Sequence, residues 1–456
     1  MKVVLLSGGS GKRLWPLSND VRSKQFLRVL QDEEGQMISM LERVWRQLDQ
    51  LGLLSDTYLC ASQAQIDVIQ AQLGDVSVIV EPMRMDTFPA IALASTYLIR
   101  EQQEDDIVIV APVDQYVDST FFKALTELPR ALDESHADLA LLGVKPRHVS
   151  NQFGYICVDQ TNAKLKNSFQ QVACFREKPD LATAKSLIDE GALWNCGVFC
   201  FRLSYMHKLL HNRNLPVSYR EMVEHFADMP KRSFDYEVVE QAQSVVVVPY
   251  EGMWKDLGTW DALAPELDVE FVGQGLAASC ENTHVINELG IPIVAKGIRD
   301  VIIVASPDGI LVADKNQVAD IKSIVKEISG RPMFEERRWG SYRVLDYQTL
   351  DQDQEVLTKY ISLRSGANIS YQKHALREEV WTIVSGHGQL ALDGRIVPVW
   401  AGDVIRVCKG QWHAILAESE LSFIEVQRGS ELVEEDTVRR CLTWQDIMNH
   451  CAVVAR

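Results

Sequence analysis

Glycines and basic side chains cluster directly after the first apolar run of the chain and form a candidate phosphate-binding turn. Residues 2–6 (KVVLL) predict a short buried strand, and residues 7–13 (SGGSGKR) follow it at once. The closely spaced glycines allow backbone N–H groups to turn toward an anion, while Arg13 and Lys24 add positive charge. A bare glycine motif would equally suit a tight turn with solvated basic side chains. The longer string GGSGKRLWPLS, followed by SKQFL, favours phosphate binding.

Two aspartates placed after strand-like runs are candidate ligands of a divalent cation. Asp114 follows the apolar run 107–111, and Asp256 lies in the segment 254–260 (WKDLGTW). Mg²⁺ prefers carboxylate and phosphate oxygens and usually binds one or two protein carboxylates. A single aspartate after a strand is more often a helix cap or turn residue. The prediction therefore depends on the two side chains meeting in the fold.

Four further residues have the chemistry of a sugar-phosphate site. Glu177 and Lys178 lie in the segment 175–179 (FREKP), and Asn195 lies in a second motif, WNCGVF. A carboxylate and an amide can bind sugar hydroxyls, and a lysine can bind a phosphate. Gly154 would let the backbone approach a sugar ring closely. In isolation, Glu177 and Lys178 would be a solvated loop pair, so the prediction depends on the whole set.

A second cluster, in the C-terminal part of the chain, could hold a metal ion. Gln372 and His374 are two residues apart on a predicted strand and therefore face the same side. Glu379 follows a turn, and His413 comes from a distant strand. One amide, two imidazoles and one carboxylate suit Zn²⁺ or a similar ion. A lone histidine on a strand is more often a hydrogen-bonded structural residue, and it is the four-part pattern that indicates a metal.

Taken in order, these segments resemble sugar-phosphate nucleotidylyltransferases. Nearly the whole chain is similar to bacterial mannose-1-phosphate guanylyltransferases with a C-terminal isomerase-type cupin domain. The resemblance implies Mg²⁺-dependent, in-line transfer of GMP from GTP to mannose 1-phosphate, giving GDP-mannose and pyrophosphate. In that family the cupin domain interconverts mannose 6-phosphate and fructose 6-phosphate.

The resemblance also implies a role for each matching residue. By this resemblance the catalytic residues are Arg13, Lys24, Asp114 and Asp256, and the two aspartates bind Mg²⁺. The nucleotide-binding residues are Leu6, Gly8, Gly9, Gly11, Lys12, Arg13, Glu81, Thr87 and Asp114. The sugar-binding residues are Gly154, Glu177, Lys178 and Asn195. The ligands of the cupin metal are Gln372, His374, Glu379 and His413.

Departures from the family pattern leave alternatives open. Lys12 stands where the family has Thr, and residues 85–88 (MDTF) replace the usual Arg-Asn-Thr-Ala near the nucleoside. Another sugar 1-phosphate or nucleoside triphosphate is therefore one alternative, and a nucleotide-sugar-binding regulator without turnover is another. In the cupin motif Ala375 and Leu376 replace two histidines, and residues 441–444 (CLTW) replace Asp-x-Tyr-Gly-Arg. A metal-holding, non-catalytic cupin is thus about as plausible as an isomerase.

Alternating strand and helix patterns in the first 268 residues must position the N-terminal candidates. Short apolar runs suit strands buried on both faces, and amphipathic stretches lie between them. The strand predictions are 57–61, 76–80 and 107–111, and the helix predictions are 37–51 and 89–100, the latter with Pro89 in its first turn. This rhythm predicts a Rossmann-like α/β nucleotidyltransferase domain with a mostly parallel sheet, whose ligands bind at the carboxyl ends of the strands.

The remainder of the chain is predicted to be rich in strands. Residues 269–330 have short β-type runs, and the family resemblance implies a left-handed β-helix-like connector there. A polar linker is expected at 326–338. Strand patterns then recur about every ten residues in 335–456, which predicts an all-β jelly-roll (cupin) domain with a short helix at 443–450.

Composition limits the compartment and the partners. The chain has 456 residues, enough for two or three domains, and its net charge of −17 argues against nucleic acid or an anionic membrane as a partner. Its nine scattered cysteines lack a CxxC pair, so neither a disulfide framework nor a cysteine zinc site is expected; Cys196 and Cys200 suit a core. No leader or membrane-spanning run is evident, and we expect a cytoplasmic enzyme. The β-rich modules favour a homo-oligomer of undetermined size.

Overall fold

The computed structural model describes the chain except residues 9–11, 20, 102–105, 160–167, 268, 319–320, 329, 351–353 and 455–456. The N-terminal part is an α/β unit. Its strands are β1 (Lys2–Leu6), β2 (Leu30–Gln31), β3 (Met37–Ile38), β4 (Thr57–Ser62), β5 (Val78–Glu81), β6 (Ile107–Pro112), β7 (Gln115–Val117), β8 (Leu139–Val144), β9 (Gly154–Val158), β10 (Gln170–Glu177), β11 (Leu193–Arg202), β12 (Val245–Tyr250) and β13 (Trp254–Asp256). Its helices are α1 (Met40–Asp49), α2 (Ile66–Leu73), α3 (Thr87–Glu101), α4 (Ser119–Leu125), α5 (Leu128–Ser135), α6 (Leu181–Asp189), α7 (Leu203–Asn212), α8 (Tyr219–Glu224), α9 (Phe234–Glu237) and α10 (Trp260–Leu263).

Nine of these strands form the central sheet, in the order β5-β4-β1-β6-β11-β8-β12-β10-β9. β5, β4, β1 and β6 are parallel neighbours, and so are β8 and β12. β11 runs antiparallel to β6 and β8, and β10 runs antiparallel to β9 and β12. The predicted α/β class is confirmed. The predicted parallel pairing is found in the half of the sheet formed by β5, β4, β1 and β6. The other half is mixed, because β11 and β10 run antiparallel to their neighbours.

Strand β1 is buried on both faces, as its continuous apolar sequence predicts. Val3 and Leu5 belong to one hydrophobic cluster, and Val4 and Leu6 belong to another on the opposite face. Burying one such side chain contributes about 1.5–3 kcal/mol. This burial fixes the register of β1, in which Leu6 lies opposite Pro112 of β6 and Cys60 of β4. The residues that follow β1, β4 and β6 therefore emerge at the same edge of the sheet.

The observed helices begin where capping chemistry permits. The Ser39 side chain accepts a hydrogen bond from the Glu42 backbone N–H, and the Glu42 carboxylate accepts one from the Ser39 N–H. This capping box starts α1 at Met40, later than the predicted residue 37. Pro89 lies in the first turn of α3, as predicted. Among the described residues, no helix combines the length and the apolar character needed to cross a bilayer.

The β-rich connector winds in regular coils. Its elements are β14 (Phe271–Val272), β15 (Gly275–Ala278), β16 (His284–Asn287), β17 (Ile293–Lys296), β18 (Val301–Ser306), β19 (Gly309–Asp314) and α11 (Ile321–Val325). Two of its parallel ladders pair residues 18 positions apart, such as Leu276 with Val294 and Val285 with Ile303. The structure therefore contains an 18-residue repeat that was not recognised in the sequence.

The connector also holds the segment that follows the glycine-rich turn. The Ser306 hydroxyl donates to the Pro16 carbonyl at 2.7 Å, and the Trp15–Pro16 peptide bond is cis. Arg22 forms two hydrogen bonds with Glu288, at 2.8 and 2.9 Å. These contacts fix the chain just before Lys24.

The C-terminal part is an all-β barrel of two six-stranded sheets, as predicted. Its elements are β20 (Phe334–Arg337), β21 (Gly340–Leu350), β22 (Gln354–Leu363), β23 (Tyr371–His374), β24 (Arg377–Ser385), β25 (His387–Leu392), β26 (Arg395–Trp400), β27 (Val404–Val407), β28 (His413–Ala417), β29 (Leu421–Gly429), β30 (Thr437–Cys441), β31 (Ala452–Val453) and the short helix α12 (Trp444–Met448). The linker predicted at 326–338 is too long, because Phe334–Arg337 pairs with β21 as a strand. Its polar residues gave no hydrophobic alternation to reveal it.

One disulfide departs from the cysteine prediction. Cys157 and Cys174 lie directly opposite each other in the β9–β10 ladder and are bonded, with Cα atoms 5.0 Å apart. The pairing follows from strand register, which cysteine spacing does not show. Cys196 and Cys200 are buried and free, as expected for core residues.

Candidate functional site

The N-terminal site is organised around Lys24, which lies between two aspartates. Its Nζ is 2.8 Å from Asp114 Oδ2 and 2.9 Å from Asp256 Oδ1. Asp114 follows β6, and Asp256 ends β13, which pairs with β7 so that Asp256 lies opposite Gln115. The structure therefore brings together the two aspartates whose meeting the sequence could only presuppose.

The electrostatics of this trio suit polyanionic ligands. Burial of Lys24 opposes its positive charge, but Asp114 and Asp256 outweigh that effect and raise the pKa of Lys24 above its ordinary 10.5. The ammonium group therefore stays charged near neutral pH. The two carboxylates already hold the Lys24 ammonium group between them, and both are partly exposed: the Asp114 side chain at 28% and the Asp256 side chain at 39%. This donor set fits a divalent ion that keeps positions open for phosphate oxygens.

The predicted phosphate turn is described only in part. Leu6 is the buried last residue of β1, and Gly8, two residues later, is exposed. Arg13 is exposed in a short 3₁₀ helix, Lys12–Leu14. Outside the described residues lie Gly9, Gly11 and the side chain of Lys12. Their phosphate-binding roles stay predictions.

The two predicted nucleoside residues differ in their surroundings. Glu81 ends β5 and is 7% exposed, with the Cys60 thiol donating to its carboxylate at 3.7 Å. Burial raises the pKa of Glu81 to about 7, and Cys60 and Arg84 oppose that rise. Such a buried carboxyl group near a strand end is typical of a binding site. The Thr87 hydroxyl instead accepts a hydrogen bond from the Phe234 N–H at 2.8 Å, which ties α3 to α9.

Three of the predicted sugar-binding residues form one contact group. Gly154 and Glu177 are opposite each other in the β9–β10 ladder, and Glu177 Oε1 is 2.6 Å from Lys178 Nζ. A Cβ atom on Gly154 would lie 2.5 Å from Glu177 Oε2 and 2.8 Å from Phe175 Cζ. Glycine is therefore required at this position if the Glu177 carboxylate is to stay where it is.

Asn195 joins this group through Asp235, to which the sequence assigned no role. Asn195 Nδ2 donates to Asp235 Oδ1 at 2.6 Å, and the Gly197 N–H donates to Asn195 Oδ1 at 3.2 Å. These bonds fix both ends of the amide. Burial, together with the nearby charge of Glu177, raises the pKa of Asp235 to about 7. The segment SFDY at 233–236 is visible in the sequence, but no local signal shows that α9 brings it to Asn195.

Three of the four predicted C-terminal ligands meet inside the barrel. His374 Nε2 is 3.3 Å from Glu379 Oε1, and His413 Nε2 is 3.7 Å from Glu379 Oε2. One ligand atom from each residue lies within 4.8 Å of the others. His413 Nε2 is buried without a hydrogen-bond partner among the described residues, which fits a metal-binding nitrogen. Gln372 Oε1 accepts a hydrogen bond from a neighbouring serine at 2.8 Å, and its participation stays a prediction.

The carboxylate of this cluster is kept ionised. Arg377 Nε donates to Glu379 Oε1 at 3.0 Å, and Gln427 Nε2 donates to the same oxygen at 3.2 Å. Burial lowers the pKa of both histidines and so favours their neutral forms. Burial would raise the pKa of Glu379, but the adjacent Arg377 guanidinium outweighs that effect and holds the pKa below its ordinary value. A neutral imidazole pair with a carboxylate is the protonation state that binds metal.

Comparison with family models finds two matches along the chain. Residues 2–268 match the nucleotidyl transferase family, and residues 332–441 match the C-terminal domain of mannose-6-phosphate isomerase. The first match contains Lys24, Asp114 and Asp256. The second contains the His374, Glu379 and His413 cluster.

The chain aligns over nearly its whole length with two named relatives, and over a shorter part with a solved structure. The chain is 30% identical over 475 residues to mannose-1-phosphate guanylyltransferase of Escherichia coli K12, covering 96% of this chain and 97% of that protein. It is 30% identical over 476 residues to the xanthan biosynthesis protein XanB of Xanthomonas campestris pv. campestris B100, with 96% and 97% covered. A crystal structure from Thermus thermophilus, described as a mannose-1-phosphate geranyltransferase, is 28% identical, with a TM-score of 0.61 over 72% of this chain and 99% of that one.

Proposed function

The chain belongs to the nucleotidyl transferase family, and we propose that it transfers GMP from GTP to mannose 1-phosphate, giving GDP-mannose and pyrophosphate. The observation that carries this proposal is the Lys24 ammonium group held between Asp114 and Asp256 at the sheet edge. The full-length similarity to a mannose-1-phosphate guanylyltransferase supports the choice of substrates.

The side chains divide the work of bringing two polyanions together. Asp114 and Asp256 would hold Mg²⁺, which, when bound, polarises phosphoryl oxygens and neutralises their charge. Lys24 stays protonated and stabilises the charge that develops on the departing pyrophosphate. Arg13, exposed beside the turn, binds the triphosphate. No covalent enzyme intermediate is required.

The sugar cluster supplies orientation. Glu177 and Asn195 bind sugar hydroxyls, and Lys178 binds the phosphate of mannose 1-phosphate. Holding that phosphate in line with the α-phosphorus makes the reaction effectively unimolecular, which lowers the barrier. The amide of Asn195 is presented in one orientation because both of its ends are already hydrogen-bonded.

Pyrophosphate release with GTP, mannose 1-phosphate and Mg²⁺ tests the proposal. We expect turnover that requires all three, and a folded protein that releases none would falsify the proposal. A panel with ATP, UTP and other hexose 1-phosphates addresses the alternative substrates suggested by residues 85–88. Nucleotide binding without turnover on every pair would favour the regulator.

A second activity is proposed for the barrel, because His374, Glu379 and His413 meet there. The matched isomerase domain leads us to propose interconversion of mannose 6-phosphate and fructose 6-phosphate, with Zn²⁺ or another divalent ion held by these residues. An isomerase assay on the full chain, with and without a chelator, tests this independently of guanylyl transfer.

Further proposals concern the setting of these activities. We place the domains at 1–268, 269–330 and 335–456, and the enzyme in the cytoplasm, where GTP is available. Since one relative is named for xanthan biosynthesis, we propose that the GDP-mannose supplies polysaccharide synthesis. Self-association stays a prediction.

A further inference from the structure

The barrel interior contains a line of buried polar side chains beyond the metal cluster. Next to Glu379 lie Gln427, Glu425 and Lys359, which are 3%, 5% and 6% exposed. Gln427 and Glu425 lie on β29 and Lys359 lies on β22, and β29 is placed between β22 and β24, the strand of Glu379. Neither the three-residue cluster nor guanylyl transfer requires a second buried glutamate and a buried lysine here.

Strand register makes the line continuous. Glu379 lies opposite Gln427, and Glu425 lies opposite Lys359. Gln427 Nε2 donates to Glu379 Oε1 at 3.2 Å and to Glu425 Oε1 at 2.7 Å, so one amide links the metal cluster to Glu425. Among the described residues, no salt bridge joins Lys359 directly to Glu425; the Lys359 ammonium lies over the Tyr342 ring at 4.4 Å.

Stability does not explain these groups. Removing an ionised carboxylate or ammonium from water costs several kcal/mol, and apolar residues of similar volume often hold a fold at least as well. Part of the same barrel is built that way, with Trp381, Ile383 and Phe423 in an apolar core. Buried, interacting charges beside a ligand-binding cluster are more typical of catalysis.

The line continues to two side chains that are partly exposed, Glu434 and Arg439. Lys359 Nζ is 3.9 Å from Glu434 Oε1, and the Glu434 side chain is 49% exposed. Arg439 Nη2 is 3.6 Å from Glu434 Oε2 and is itself 45% exposed. A phosphorylated sugar could place its phosphate near Arg439, since a guanidinium group matches phosphate geometry, and extend its carbon chain inward.

We propose that Glu425 and Lys359 are the proton-transfer pair of a hexose 6-phosphate isomerase in this barrel. The inference rests on the isomerase activity proposed above. Glu425 takes the proton from C2 of the open-chain aldose, and the electron pair of that C–H bond forms the C1–C2 double bond as the C1 oxygen takes a proton from Lys359. Glu425 then returns its proton to C1, and Lys359 recovers one from the C2 hydroxyl as C2 becomes the carbonyl carbon. Both side chains end as they began, and no oxidant or reductant is consumed.

The ionisation of Glu425 agrees with this geometry. Burial raises the pKa of Glu425 to about 8, the charge of Glu379 acts in the same direction, and Lys359 opposes it. A carboxylate whose pKa is raised by burial is a stronger base than an ordinary one, which suits removal of a proton from carbon.

The test uses the full chain with its metal site loaded and mannose 6-phosphate in D₂O. Glu425→Gln and Lys359→Met each lower fructose 6-phosphate formation and deuterium incorporation at C1 and C2, together, by about 10²–10⁴-fold. Pyrophosphate release from GTP and mannose 1-phosphate stays at the wild-type rate in the same preparations. Glu418→Gln, which alters an exposed carboxylate on the same barrel, leaves both activities unchanged.

Each remaining outcome decides the matter. If the wild type isomerises and Glu425→Gln does so at a similar rate, the pair is wrong and the isomerase activity stands. If the loaded wild type does not isomerise, both the activity and the pair are refuted, and guanylyl transfer is unaffected. Loss of bound metal in Glu425→Gln would show that Glu425 only positions Glu379, which also overturns the proposal. The double variant Lys359→Met, Glu425→Gln removes both charges. If it binds metal and gives the same circular dichroism spectrum as the wild type, the barrel folds without the pair.

Discussion

Replacing Gly154 by alanine should impair the use of mannose 1-phosphate without comparable damage to GTP binding. Gly154 is buried on β9 opposite Glu177, and its φ is not in the left-handed region, so the effect of an added methyl group is purely steric. The methyl group would enter the sugar cluster and leave the Lys24 trio untouched.

The size of the effect follows from the contacts. Ordinary contact with a Cβ atom begins at 3.4 Å, and the new atom would lie 2.5 Å from Glu177 Oε2 and 2.8 Å from Phe175 Cζ. The carboxylate oxygen must therefore retreat by about 0.9 Å and the ring by about 0.6 Å, and overpacking of this kind costs about 1–3 kcal/mol. The retreat displaces the carboxylate group, whose other oxygen, Oε1, is 2.6 Å from Lys178 Nζ. Because misplacing a positioned group by about 1 Å can cost ~10²-fold, we expect kcat/KM for mannose 1-phosphate to fall about 100-fold.

Initial rates with each substrate varied in turn, together with thermal unfolding, measure both effects. Gly290→Ala is the matched control, because no atom lies within 4 Å of its added Cβ and its φ is ordinary. We expect that variant to match the wild type in rate and in unfolding temperature. Wild-type kcat/KM for the sugar phosphate in Gly154→Ala would refute the assignment of this cluster to the sugar. An equal loss for GTP and sugar would indicate general misfolding instead.

Four other outcomes test separate parts of the structure. Asp256→Asn should lower Mg²⁺-dependent pyrophosphate release by ~10²–10³-fold while the protein keeps its fold, and near-normal turnover would contradict the two-carboxylate site. Asp235→Asn tests the pH dependence of stability. The folded-state pKa of Asp235 is about 7, above its ordinary 3.8, so the wild type loses stability as pH rises from about 4 to 7, whereas the variant does not. The difference in melting temperature, variant minus wild type, should therefore be larger at pH 8 than at pH 4. A difference that does not change with pH would count against a raised pKa of Asp235. Thiol titration in denaturant should find seven free thiols before reduction and nine after it if Cys157 and Cys174 are bonded, whereas nine before reduction would exclude the bridge. His413→Gln should lose about one equivalent of bound divalent metal and keep guanylyl transfer, and undiminished metal content would remove His413 from the site.

Local sequence patterns predict the elements well where one interaction dominates. The apolar run at β1 demands burial on both faces, and the structure provides it. The start of α1 is less predictable from periodicity, because the hydrophobic pattern extends back to Met37 while the capping box of Ser39 and Glu42 decides the boundary. Strand β20 was not predicted, because its sequence, FEER, has no hydrophobic alternation. It forms a strand because it pairs with β21.

Residue chemistry indicated two candidate cation-binding clusters, but it could not show which distant residues contact each other. A lysine, two aspartates, two histidines and a glutamate in characteristic motifs indicate what each group can bind. That Asp114 and Asp256 share one ammonium group depends on the pairing of β7 with β13. Asp235 was missed for the same reason, because α9 reaches Asn195 only through the packing of the sheet.

Periodicity and side-chain chemistry were enough to predict the class of fold, its two parts and the residue types available at each site. Which of those groups contact each other depends on the tertiary structure, which also contains the Cys157–Cys174 bond and the buried pair of Glu425 and Lys359. Side-chain chemistry and periodicity are local properties of the chain. Strand register and helix docking are set by the total burial of apolar surface, to which every part of the chain contributes.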